Sequence, residues 1–181
     1  MSISIAADAI IRVLKAEMPP LVKAEQIGLC SPADAGDRFL LGVFIHAAAR
    51  DTRTQAMGNM RVDASTSVKG PLITELHLIV TSYAGKKSGL LDDYKILERV
   101  AQLWHDHSEL PMNTQVQPSR VVTPKFELQN PDADEISKIW QFPGVPYSLS
   151  LFYRLAPVAI PSGVQITKAP VGDVDYKAGD S

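Results

Sequence analysis

The side chains able to do chemistry are few and scattered. His105 and His107 stand two apart, and on a helix such residues point roughly 200° away from each other. They cannot share an ion there. They read as a solvated helix end, where basic character suits the dipole. His46 and His77 belong to two different stretches of strand, so only a fold that pairs those strands brings them together. Each taken singly is a core or surface histidine. An enzyme built on His46 or His77 with a carboxylate needs a nucleophile–base spacing, and none is present. Asp92-Asp93 lies in the first turn of a helix, as do Asp132, Asp134 and Glu135, where acids stabilise the positive end. The second group does not have the spacing of a calcium loop. Nothing near Cys30 lowers a thiol pKa. No glycine-rich phosphate loop and no G-x-S-x-G elbow occurs. The expectation is that no residue is catalytic, none binds a cofactor and none ligates a metal, and that the chain is not an enzyme.

Composition sets further bounds. The 181 residues are 45% hydrophobic and 21% charged, the balance of one globular domain. Eighteen basic and twenty acidic residues give a net charge of −2. That offers no general attraction to nucleic acid, and Lys86-Lys87 with Lys125 are too few for a basic footprint. One cysteine makes no internal disulfide. The first residues lack a basic stretch and carry Asp8 and Arg12, unlike a signal peptide. No apolar run reaches the length of a membrane helix. The reading is a soluble protein made in the cytoplasm, with neither nucleic acid nor membrane as partner.

The elements follow from periodicity. Ile3, Ala6, Ile10, Val13, Leu14 and Met18 recur at helical steps, ended by Pro19-Pro20. Ser31 to Asp37 reads as a loop. Phe39 to His46 is apolar on both parities, as in a central strand covered on both faces. Leu72, Thr74, Leu76, Leu78 and Val80 alternate with Glu75, His77 and Thr81 as in a half-buried strand. Gly85 to Gly89 turns the chain, with Ser88 placed to cap the next helix. Leu90, Tyr94, Leu97, Ala101 and Trp104 give that helix a stripe, widened by Ile96, Val100 and Leu103, and Pro111 ends it. Phe126 and Leu128 mark a short edge strand. Asn130 is a cap and Pro131 a first helical residue for a short helix turning Ile136, Ile139 and Trp140 inward. Tyr147 to Leu155 alternates as a final strand, with Pro157 making its distal half an edge or a bend. The order predicts an α+β fold: a mixed, largely antiparallel sheet of about four to five strands with helices packed on it.

Three stretches carry no period: residues 50–70, residues 111–124 and everything from Pro161. Loops this long are usually functional. An extended tail can add a strand to another chain's sheet, which points to an assembly protein.

The order of three segments resembles a known family. They are Ile10 to Pro19; Leu76 to Tyr83 followed by the helix start Asp92-Asp93-Tyr94-Lys95-Ile96-Leu97; and Ile136 to Trp140 followed by Pro146 to Tyr153 and Val158-Ala159-Ile160. Together they resemble the N-terminal domain of cap, or tail-terminator, proteins of contractile injection systems of the virulence-cassette and antifeeding-prophage type. The likeness runs from about residue 6 to residue 160. Two features depart from that family: Glu98 stands where a glycine is common, and the segment from Arg53 to Gly70 is longer and more polar.

The resemblance implies a phage tail-terminator-like domain over residues 1–160 with an extended C-terminal tail over residues 161–181. It implies a non-enzymatic particle component, assembled in the cytoplasm. Its partners would be itself, in a ring that is usually hexameric, and the inner tube and sheath proteins. The alternative within the same particle is a baseplate or adaptor component; a small hydrolase or ligand-binding enzyme is the reading from another class. Strand alternation sets Glu75, His77 and Arg154 on the face away from the main apolar layer. The tail lacks the apolar content to offset ordering entropy, so it is expected to be unordered before assembly.

Overall fold

Ser2 starts the first helix: its side chain accepts from the backbone N–H of Ile5, and the helix α1 runs Ile3–Glu17. Ala6, Ile10, Leu14 and Met18 lie fully buried along one stripe, each large one worth about 1.5–3 kcal/mol of burial. The computed structural model describes residues 2–34, 38–54, 58–61, 65–85, 89–111 and 123–167. The Ser88 cap, the Lys86-Lys87 pair, most of residues 111–124 and the tail beyond Thr167 lie outside the described residues.

After α1 the chain makes a short 3-10 turn, Ala24–Gln26, and a strand β1, Ile27–Leu29, which the periodicity does not announce. β2 is Leu41–Arg50, β3 Met60–Arg61, β4 Thr66–Val68 and β5 Leu72–Ser82. The helix α2 is Leu90–Asp106, followed by β6, Lys125–Gln129, the helix α3, Ala133–Ile139, β7, Ser150–Ile160, and β8, Gln165–Thr167. Among the described residues the main sheet has five strands in the order β1-β2-β5-β7-β6. Only β1–β2 is parallel; the other pairs are antiparallel. This is the mixed, largely antiparallel sheet expected from the alternation.

Both long helices pack on one face. Leu41, Val43, Leu76, Leu78, Val80, Tyr153 and Leu155 meet α1 and α2 in one apolar cluster. Trp104 of α2 stacks on Phe126 of β6 at 4.1 Å and meets Tyr153 of β7 edge-on at 4.6 Å. The stripe of α2 differs from the expected one. Ile96, Leu97, Val100, Leu103 and Trp104 are buried, but Leu90, Leu91 and Tyr94 face outward, because the helix begins beyond the edge of its packing surface. α2 stops at Asp106, five residues before Pro111.

Several boundaries move for local reasons. α3 is capped by Asp132, not Asn130, and Pro131 lies outside it. Asp132 accepts from the Glu135 N–H at 2.8 Å, and Glu135 reaches back to the Asp132 N–H at 3.1 Å. That reciprocal pair outcompetes an isolated asparagine. Ile136, Ile139 and Trp140 are only half-buried. β2 starts at Leu41 and runs on to Arg50, with its far half exposed. The last long strand begins at Ser150, after Tyr147 and Leu149, which are exposed. Pro157 sits in β7 just past Ala156, the last residue paired with β6, so no neighbour there needs its missing N–H.

The segments without a period are not all loop. β4 pairs antiparallel with β3 on one side and with β8 on the other, making a small three-stranded sheet. Residues of the expected loop 50–70 and of the expected tail therefore pair within the same chain. Strands of two and three residues are too short to show alternation, which is why pattern reading missed them.

Candidate functional site

The face of the main sheet turned away from α1 and α2 holds a buried cluster of charge. Arg154 on β7 is centred on it, with 5% of its side chain exposed. Its Nε donates to Glu75 Oε2 at 2.6 Å, its Nη1 to Glu127 Oε2 at 3.0 Å and its Nη2 to Asp51 Oδ1 at 3.1 Å. Strand register makes this possible: Arg154 pairs with His77 on one side and with Glu127 on the other. Glu75 lies at an irregularity where Thr74 pairs with Val158 and Leu76 with Leu155, so one residue of β5 opposes two of β7. Asp51 follows β2, and its N–H bonds the Ile73 carbonyl. The placement of Glu75, His77 and Arg154 away from the apolar layer is as expected. Asp51 and Glu127 were not singled out by sequence; the parity of Glu127 with Lys125 was the one signal available.

A buried guanidinium is tolerated only when its donors are met. Burial, the largest influence, works against charge on Asp51. The Thr54 hydroxyl, the N–H groups of Arg53 and Thr54, and Arg154 outweigh it and hold its pKa below the ordinary value. Glu75 is likewise opposed by burial, but hydrogen bonds from Arg154 and His77 and their charges hold its pKa down. Arg53 donates to Glu127 at 3.2 Å, so residues 51–54 are tied to the sheet at the root of the segment leading to β3.

The sheet also brings together His46 and His77, whose ring centres lie 6.0 Å apart. His77 Nε2 is 3.1 Å from Glu75 Oε1. Both histidines line a groove of about 480 Å³ under α3. None of its lining residues is a serine, threonine or cysteine. His105 and His107 stay apart from this face, exposed at the end of α2. Cys30 sits half-buried by Gly42, its thiol pushed up to about 11 by burial and then by Asp34.

The remaining surface offers backbone. Among the described residues no strand pairs with the outer side of β1, where Leu29 is 46% exposed. The outer side of β6 is partly taken: Phe126 N–H donates to Ser108 O and Leu110 N–H to Pro124 O. Past that point Leu128 is 61% exposed. No described helix is long and apolar enough to cross a membrane. What this surface can do is pair, pack and position.

The family model described as the Pvc16 N-terminal domain matches residues 6–172. That match extends past Ile160 and takes in β8. Two solved structures, both from cryo-electron microscopy, share the fold. One is the sheath/tube terminator, in its extended state, of PVC, an extracellular contractile injection system: TM-score 0.69, 15% identity, covering 100% of this chain and 64% of that one. The other is the tube-terminating cap of the anti-feeding prophage: TM-score 0.66, 14% identity, covering 96% of this chain and 60% of that one. The chain thus spans less than two thirds of the length of either terminator. No curated protein matches the sequence.

Proposed function

We infer that this chain, which belongs to the Pvc16 N-terminal domain family, is a structural cap that ends the inner tube of a contractile injection particle and anchors the sheath there. The observation that carries this reading is the likeness of the whole described fold to a sheath/tube terminator, within a family match spanning most of the chain. The physical reason for such a part is general. A growing tube presents an open, heterologous interface that repeats without limit. A terminator matches that interface on one side and offers nothing equivalent on the other.

In this proposal the protein closes into a ring, a hexamer, on the tube end. It works without a catalytic centre, a cofactor, nucleic acid or a membrane, and it assembles in the cytoplasm before joining the particle. The outer side of β1 and the open end of β6 are suited to strand pairing with neighbours, because each leaves main-chain groups beside an exposed leucine.

Negative-stain electron microscopy of the purified chain, and of particles from cells lacking its gene, tests the reading. Rings, together with tubes of uncontrolled length or unstable ends in the deletion, are the expected result. A strictly monomeric protein whose loss leaves particle length and stability normal would overturn it.

A further inference from the structure

The groove under α3 has a floor of distinctive geometry. In the pairing of β2 with β5, Ile45 faces Leu78 and Ala47 faces His77, so His46 is the extra residue of a bulge. A bulge re-aims a side chain. Here it leaves the His46 ring 6.0 Å from the His77 ring, tilted by 55°. Two imidazoles bound to one ion at metal–nitrogen distances of about 2.0–2.1 Å have ring centres roughly 5–6 Å apart. The pair therefore stands close to a chelating separation before any ion arrives.

The hydrogen bonding of His77 fits the same purpose. Glu75 is an ionised carboxylate, so the 3.1 Å contact requires the proton on His77 Nε2. In a singly protonated ring that leaves the lone pair on Nδ1. Glu75 is itself held by the Arg154 Nε at 2.6 Å. A histidine whose second nitrogen donates to a fixed carboxylate is the usual arrangement behind a metal ligand. From α3, Glu135 and Lys138 face the groove. One oxygen of Glu135 is engaged by the Asp132 N–H. Among the described residues no set of three metal-ligating side chains converges.

We propose that His46 and His77 form a two-histidine site for a divalent ion of the zinc, copper and nickel class, with Glu75 as the positioning residue for His77 and water completing the coordination. Imidazole ligands select that class of ion. An ion there staples β2 to β5 across the bulge. This inference is independent of the capping role, and its test involves no assembly.

Zinc chloride titrated into the full chain at about pH 7.5 should bind with a stoichiometry of one in calorimetry. His46→Gln and His77→Gln should each weaken binding tenfold or more, and the His105→Gln/His107→Gln double variant should leave it unchanged. Glu75→Gln should weaken binding about 10-fold or more while both histidines remain. Thermal melting of each variant identifies any that fails to fold. The wild-type chain loaded with one equivalent of copper(II) supplies a readout that needs no variant: its electron paramagnetic resonance spectrum should show two coupled imidazole nitrogens. Absence of binding by the wild-type chain, unchanged binding in the His46→Gln/His77→Gln double variant, or loss of binding in the 105/107 variant would overturn the proposal.

Discussion

Arg154 is the residue on which most of one face depends. Replacing it with methionine keeps the volume but leaves Asp51, with 1% of its side chain exposed, as an unpaired buried charge. The expected cost is about 3–5 kcal/mol, read as a lower urea midpoint with an unchanged slope. The same cluster sets an acid limit. Asp51 and Glu75 have folded-state pKa values below their ordinary values of 3.8 and 4.5. The unfolded chain therefore takes up protons first as the pH falls. The stabilisation from these two groups is complete above those ordinary values and is lost as the pH drops through them toward the folded values. Melting temperature measured from about pH 6 to pH 3 should fall at the acid end. In the Arg154→Met variant that acid fall should be shallower chiefly through Glu75, which loses the partner that most lowers its pKa, while Asp51 keeps the Thr54 hydroxyl and the N–H groups of Arg53 and Thr54. Arg154, Glu75 and His77 were legible as a polar row on a strand. Their closure with Asp51 and Glu127 was not, because those partners lie 103 and 27 residues away along the chain.

At the scale of elements, α3 shows how little holds a short helix. It has no fully buried residue, so its capping box carries an unusual share of its stability. Asp132→Ala should cost about 0.5–2 kcal/mol locally. Hydrogen exchange at residues 136–139 should speed up, while α2, held by Trp104, Leu103 and Val100, stays protected. β2 leaves no room for a side chain at Gly42. A Cβ at Gly42 would lie 2.6 Å from Cys30 Sγ and 3.1 Å from the Tyr83 ring. Gly42→Val should therefore destabilise the fold by about 1–3 kcal/mol in chemical denaturation. Long amphipathic elements were readable because ten or more residues repeat one period. β1, β3, β4 and β8 were not, since two or three residues define no period, and their pairing energy comes from strands elsewhere in the chain.

At the scale of the molecule, the small sheet makes the segment after Ile160 part of the fold. Ser67 is paired with Ile166, and the Lys69 N–H bonds the Val164 carbonyl. A chain ending at Ile160 should keep the main sheet and both long helices, with a melting temperature within a few degrees of the parent. Limited proteolysis should then cut it within residues 50–70, where β4 has lost β8. Equal protection of that segment in both forms would show that β8 contributes nothing to holding it. β8 and the family match to residue 172 both lie past residue 160.

The linear order of residues determined the class of fold, the faces of its long helices and strands, and the resemblance that points to a filament cap, because hydrophobic period is a local property that survives without coordinates. Only the tertiary structure decided which strands are neighbours. Neighbourhood across a sheet is what buries Arg154 among three carboxylates, sets His46 beside His77 and draws the end of the chain back onto β4. Each of those contacts joins residues far apart in the chain, where no spacing rule reaches, and each exists because burying the common apolar face forces the strands into one register.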